Sequence, residues 1–394
     1  MRASRPRLEP DRENGRVSEA LIVGAAETPY RRRPEEGVTT QELLAQAARA
    51  ALASAALEPA DVDGLGVSSF SLAPDRAIDL AVQLGVRLRW LMDGGTGGAA
   101  AIDLLQHARR AVETGDARAV LIVGGDRLDA PAFARLVDDY NTWTRDLLAP
   151  LPLHGPNALF ALVTRRHMEA YGLAREDYGA VAVAQRSWAA GNANAVYREP
   201  LALAEYLDAP VVADPLTIYD CVPVVAGADA VLVAAEGVSA SPGVRIRALR
   251  LQHNADSQEG DGLSTGLGEE RDELWREAGL GPGDADVVSV YDDYPVMALV
   301  QLDELGFAGD DPQRFVAERL ATRALPVNTS GGQLSAGQAG AAGGLHGLVE
   351  VVTQLRAEAG GRQVPDARIG VVSGYGMVAY RYGASVGATV LERM

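Results

Sequence analysis

Leu57-Glu58-Pro59-Ala60-Asp61-Val62-Asp63, leading into Gly66-Val67, is met again as Leu280-Gly281-Pro282-Gly283-Asp284-Ala285-Asp286, leading into Ser289-Val290. The copy lies 223 residues on, from Leu57 to Leu280. A second stretch, Asp116-Ala117-Arg118 with its apolar run to Gly125, returns 250 residues on as Asp366-Ala367-Arg368 with its run to Gly374. A period this long is no solenoid. It implies two α/β halves of like build, stacked face to face. Such a scaffold places its chemistry at the C-terminal ends of strands, near the joint between the halves.

Composition narrows the function classes. A chain of 394 residues with 47% hydrophobic content and 43 glycines suits a close-packed α/β enzyme of two linked halves. The net charge of −17 disfavours binding to nucleic acid. No apolar run nears the ~20 residues of a membrane span, and residues 1–18 read as a disordered extension with no secretory signal. The lone cysteine, Cys221, excludes an internal disulfide framework and a multi-cysteine metal site, and points to the cytoplasm. All 36 basic residues are arginine, so no lysine Schiff base can form. No metal-ligand spacing appears, and no cofactor is expected.

Strands are expected at 20–25, 64–69 and 119–123, with helices at 39–57 and 99–114. The pattern loosens over 128–217, which reads as an insertion reaching over the site. A strand at 226–235 closes the first half, 19–240. The second half, 241–394, alternates strands at 244–251 and 287–290 with helices at 271–278, 297–305 and 345–359. It ends in a hairpin of 367–372 with 384–391. Three segments combine glycine density with polar groups at strand ends: 93–98, Tyr291-Asp292-Asp293-Tyr294-Pro295, and 328–338 with Ser373-Gly374-Tyr375-Gly376. Glycines there let backbone N–H groups approach a ligand and face a developing oxyanion.

Asn328-Thr329-Ser330-Gly331-Gly332 followed by Gly337-Gln338, in the second half of a duplicated α/β chain, resembles the thiolase superfamily and its sterol-carrier and lipid-transfer branch. Val290-Tyr291-Asp292 with Gln301-Leu302-Asp303-Glu304-Leu305-Gly306-Phe307 is similar to the actinobacterial thiolase-like aldolases that shorten steroid side chains. The resemblance implies a thiolase-like duplicated α/β/α layered fold with a loop-domain insertion in the first half. It also implies a homodimer and a small OB-fold/zinc-ribbon protein as a partner.

The departures bear on chemistry. Gly95 stands at the family's nucleophilic cysteine, Gln338 at its Gly-His-Pro histidine, and Ser373 near its second cysteine. Without thiolate or histidine, a carbon–carbon lyase reaction on a bulky β-hydroxyacyl-CoA is expected, by retro-aldol cleavage that needs no acyl-enzyme. Tyr291 matches the aldolases' proton-transfer tyrosine, with Gln338 and Tyr375 placing the reacting groups. Backbone at Gly95 and Gly376 is expected to stabilise the enolate. His154, Tyr294, Gly331, Gly332 and Ser373 are the expected substrate contacts. Of the adjacent Asp292 and Asp293, one is expected to be solvated and one to bond backbone. A cysteine-independent acyltransferase and a non-catalytic subunit of a complex are the alternatives.

Overall fold

The computed structural model describes residues 18–394 except 139, 141, 143, 149, 152–154, 256–261, 380 and 381. The expected extension over 1–18 therefore falls, but for Ser18, outside the described residues, as does His154.

The first half runs β1 (Ala20–Glu27), α1 (Thr40–Ser54), β2 (Gly64–Ser68), α2 (Arg76–Leu84), β3 (Trp90–Asp93), α3 (Ala100–Glu113) and β4 (Ala119–Asp126). Next come α4 (Ala130–Asp138), α5 (Pro156–Tyr171), α6 (Arg175–Ala189), α7 (Leu203–Leu207), the small hairpin β5 (Val211–Ala213) and β6 (Leu216–Thr217), and then β7 (Gly227–Ala235). The second half runs β8 (Val244–His253), α8 (Leu267–Ala278), β9 (Val287–Ser289), α9 (Pro295–Glu304), α10 (Pro312–Phe315), α11 (Gly332–Ala336) and α12 (Ala342–Leu355). The long hairpin β10 (Ile369–Ala379) and β11 (Tyr382–Arg393) ends it.

Nine strands form one sheet in the order β3-β2-β4-β7-β1-β8-β11-β10-β9. Read outward from the β1–β8 joint, the first half is β1-β7-β4-β2-β3 and the second is β8-β11-β10-β9. The second half is completed by a parallel bridge from Val288 to Val327 where the first has β3. Strand directions repeat as well: β2 with β4 and β9 with β10 are parallel, while β4 with β7 and β10 with β11 are antiparallel.

The repeated words of the sequence are the repeated fastenings of the structure. Asp63 Oδ1 accepts from the N–H groups of Arg118 at 2.7 Å and Ala119 at 3.0 Å. Asp286 Oδ2 does the same for Arg368 at 2.8 Å and Ile369 at 2.9 Å. Ahead of each, a single 3₁₀ turn is closed by its own aspartate, Asp61 on the Glu58 N–H and Asp284 on the Gly281 N–H. The two repeats found in the sequence are thus bonded to one another, once in each half. A charged acceptor serving two strand-opening N–H groups fixes where β4 and β10 begin.

The halves differ from the expected face-to-face stack in being continuous. β1 pairs with β8 at Leu21–Arg245 and Ile22–Val244, and the sheet folds over a shared helix pair. α3 and α12 lie in that middle layer, where Leu104, Leu105, Leu345 and Leu348 meet Ile122 and Val231 of one half and Ile246 and Val372 of the other. α1 covers the outer face of the first half through Leu44, Ala48 and Leu52, started by a Thr39–Glu42 capping box. α8 and α9 cover the second half through Leu274, Val296 and Val300.

The final hairpin is longer than its pattern implied. Ser373, Tyr375 and Gly376 lie inside β10 rather than beyond it. The glycines that read as a loop are there for contact: a Cβ on Gly374 would stand 2.4 Å from the carbonyl oxygen of Gly98. Among the described residues, no helix is long and apolar enough to cross a membrane.

Candidate active site

Four segments meet beside β10: the turn of residues 94–98 before α3, the Tyr291–Tyr294 stretch after β9, the loop of residues 328–340, and Tyr140 from the insertion. Backbone contact with β10 holds the turn. A Cβ on Gly376 would lie 2.1 Å from the Thr96 carbonyl oxygen, and one on Gly97 3.2 Å from the Met377 nitrogen. Gly98 is wedged between the Tyr291 ring and the β10 backbone, its absent Cβ 2.2 Å from the Tyr375 carbonyl oxygen and 2.5 Å from Cε2 of Tyr291. Any side chain there would drive Tyr291 out of place.

Tyr291 is fixed at its backbone and at its hydroxyl. Gln301, a buried polar residue on the apolar α9, accepts from the Tyr291 N–H at 3.2 Å and donates to its carbonyl at 2.7 Å. Gln301 is steadied in turn by the Ser373 hydroxyl at 2.9 Å. At the other end of the ring, Gln338 Nε2 donates to the Tyr291 hydroxyl at 2.7 Å. Gln338 is placed by an extended pairing in which its N–H bonds the Pro223 carbonyl and its carbonyl accepts from Val225. Gly337 makes that pairing possible with a φ of +113°, a conformation open to glycine and costly for other residues.

The two aspartates divide their work. Asp292 points into the loop, accepting from the N–H groups of Gln333 at 2.9 Å and Leu334 at 3.3 Å; burial pushes its carboxyl up to about 8. This is the expected backbone-bonding carboxylate. Asp293 is not the solvated one expected. It turns inward and accepts from the Tyr375 hydroxyl, and burial raises its carboxyl to about 7. Tyr375 meets the Tyr291 ring edge-on at 5.2 Å between centroids. Tyr140 comes in from the insertion, its hydroxyl bonded to the Met377 N–H and pushed up to about 12 by burial, while its ring meets Phe70.

Tyr291 itself is shifted well above its ordinary value, first by burial and then by the charge of Asp293, with the Gln338 amide pulling the other way. It is a protonated phenol at neutral pH, suited to give a proton rather than to take one.

Comparison with known proteins agrees with this architecture. Residues 248–389 match the thiolase C-terminal domain-like family model. The chain is 33% identical over 364 residues to the 17-hydroxy-3-oxo-4-pregnene-20-carboxyl-CoA lyase of Mycobacterium tuberculosis, covering 86% of this chain and 92% of that one. The chain belongs to the thiolase superfamily. Within it, the steroid side-chain-cleaving aldolase of Thermomonospora curvata is 31% identical, covering 86% of this chain and 90% of its own. The solved Ltp2-ChsH2(DUF35) aldolase superposes with a TM-score of 0.80 at 27% identity, over 96% of this chain and 98% of that one.

Against that family, the thiolase nucleophile is missing, and among the described residues nothing has moved in to replace it. Gly95 is exposed, with no atom of the described residues within 4 Å of where a Cβ would be. It faces open space, and Gly97 and Gly98, rather than Gly95, line the phenols. Cys221 donates weakly to Asn157 Oδ1 at 3.6 Å, and burial pushes its thiol up to about 12, so it holds no thiolate.

Several expected contacts of this thiolase-fold chain are structural instead. Tyr294 is buried, stacked on Phe160 at 4.3 Å and bonded to Asn157 at 2.6 Å, so it cannot reach a substrate. Gly331 and Gly332 have positive φ and would strike Ala189 and Asp292 if given side chains; they close the loop rather than line a pocket. Ser373 is occupied by Gln301. Tyr375 is 1% exposed, so it holds Asp293 and buttresses Tyr291 rather than touching substrate. Three residues that matter here were missed as site residues: Asp293, Tyr140 and Gln301. Only Gln301 left a signal, a lone amide in the apolar run Pro295-Val296-Met297-Ala298-Leu299-Val300.

Proposed function

We propose that the protein is a carbon–carbon lyase that cleaves a bulky, steroid-like β-hydroxyacyl-CoA thioester by a retro-aldol reaction. The observation that carries this reading is the Tyr291 phenol, protonated, bonded by Gln338 and set over a glycine-rich turn. Cleavage moves the bonding pair onto the α-carbon as a thioester enolate, which must be stabilised and then protonated. Tyr291 is the donor for that carbon. Gln338 Nε2 points a hydrogen bond at the phenol oxygen and so lowers the cost of the phenolate left behind, and backbone dipoles of the turn face the enolate oxygen. Transfer of an acyl group has less to support it, because no thiolate is in place to hold one.

For partners, the free edge of β3 and the apolar residues beside it favour a second copy of the chain. Leu91 is 43% exposed, and Ile78 and Val82 on α2 are 52% and 75% exposed. A small OB-fold/zinc-ribbon partner is proposed on the likeness to the solved Ltp2-ChsH2(DUF35) aldolase, which is named for two components.

The test is an assay of purified protein, alone and with such a partner, on a β-hydroxyacyl-CoA with a bulky chain. Release of a ketone and a shortened acyl-CoA is expected, falling by about 10²–10⁴-fold in Tyr291→Phe. Unchanged cleavage in that variant would remove Tyr291 from the chemistry. Incorporation of label into an acyl acceptor would replace the lyase by a transferase.

A further inference from the structure

Retro-aldol cleavage needs two proton movements, one off the β-hydroxyl and one onto the α-carbon. Tyr291 as a held phenol serves the second. Nothing at Gln338 serves the first, since a carboxamide does not accept a proton at neutral pH. The carboxylate within the same cluster of rings is Asp293. Asp292 is turned away to the loop at 333–334, whereas Tyr291 and Asp293 both engage Tyr375, the first by its ring and the second by its carboxylate. The Tyr375 ring and hydroxyl thus bring Tyr291 and Asp293 to one cluster.

We propose that Asp293, held in place by Tyr375, is the proton acceptor of the site and takes the role left empty by Gln338. This rests on the lyase reading above. The β-hydroxyl proton passes to the Asp293 carboxylate as the bond between the carbinol carbon and the α-carbon breaks. The carbinol carbon becomes a ketone, and the bonding pair moves into the thioester enolate. Tyr291 then gives its phenolic proton to the α-carbon. Asp293 returns its proton to the Tyr291 phenolate, and both groups are restored with no other reactant consumed.

The surroundings of Asp293 fit such a cycle. Among the described residues, the groups that face it are Tyr140, Tyr291, Tyr294 and Tyr375, the Cys221 thiol and the Asp292 carboxyl. None of these is cationic, and the hydrogen bonds that support its charge come from Tyr375 and from the backbone N–H groups of Asp293 and Tyr294. Burial therefore dominates and carries its carboxyl up to about 7. A base poised there loses its proton near neutrality and takes one readily.

The experiment is a pH–rate profile of kcat/KM for wild type, Asp293→Asn and Tyr375→Phe on a β-hydroxyacyl-CoA, with far-UV circular dichroism on each. Wild-type rate is expected to rise with pH along a limb near 7. Asp293→Asn should lose the limb and about 10²-fold or more in rate. Tyr375→Phe, which removes a donor to the charged form, should move the limb to higher pH. A folded Asp293→Asn that keeps the limb overturns the inference while leaving the lyase reading intact. A wild type with no lyase activity overturns both. Should Asp293→Asn not fold, the Tyr375→Phe shift decides: an unmoved limb overturns the inference.

Discussion

The two halves of the molecule share their fastenings and differ at their strand ends. Asp63 and Asp286 make the same pair of backbone bonds in each half. After β2, however, the chain supplies Ser69 and Ser71, whose hydroxyls donate to the buried Asp126, together with the Phe70 and Ser71 N–H groups. After β9 it supplies Tyr291 and Asp293, facing the Tyr375 phenol. The first half contributes to the site a turn almost without side chains and, from its insertion, Tyr140; the second contributes the other side chains. Duplication kept what closes the sheet, because both copies need it to fold. It released what stands at the strand tips, where only one copy needs to carry chemistry.

Breaking the asymmetric part should have the largest effect. Gly98→Ala is expected to abolish lyase turnover and to destabilise the fold by about 1–3 kcal/mol, because the new Cβ would overlap Tyr291 and Tyr375. Gly95→Ala, three residues earlier and facing open space, should leave stability nearly unchanged. Urea denaturation with an activity assay on both variants checks the contrast; equal losses would mean that the turn does not discriminate between Gly95 and Gly98.

The symmetric part should break symmetrically. Asp63→Ala and Asp286→Ala should each cost about 1–2 kcal/mol in urea unfolding, since each strands two backbone donors at the start of a strand. A loss confined to one half would show that the repeated clasp no longer does the same task in both.

The smallest effect is on pH-dependent stability. Burial raises Asp293 and Glu27 to about 7 and Asp292 to about 8, so the folded state holds protons that the unfolded chain has already released. This contribution is full below the ordinary carboxylate range and is lost as pH rises through about 7 to 8. The urea midpoint should fall over that interval, and Asp293→Asn should flatten the fall.

The duplication was legible in the residues because the clasps are local: an aspartate at a fixed distance from a strand start repeats as a word. Tyr291 and Gln338 stood in recognisable surroundings, and the structure joins them across 47 positions of sequence. Tyr294, Gly331, Gly332 and Ser373 stood in the same glycine-rich or polar company and proved to be packing. Sequence company cannot separate a residue that faces a cleft from one that faces the core. Asp293 was obscured for the opposite reason, since adjacent aspartates usually mark a solvated turn.

By itself the sequence determined the α/β class, the twofold repeat, the loss of the cysteine and histidine, and the absence of lysine chemistry. These are matters of composition and of short-range spacing. Only the tertiary structure decided that Asp293 is half-buried against Tyr375, that Gly98 rather than Gly95 backs Tyr291, and that Tyr291 stays protonated. Each of those depends on which groups are withdrawn from water together, and desolvation is a property of the assembled fold.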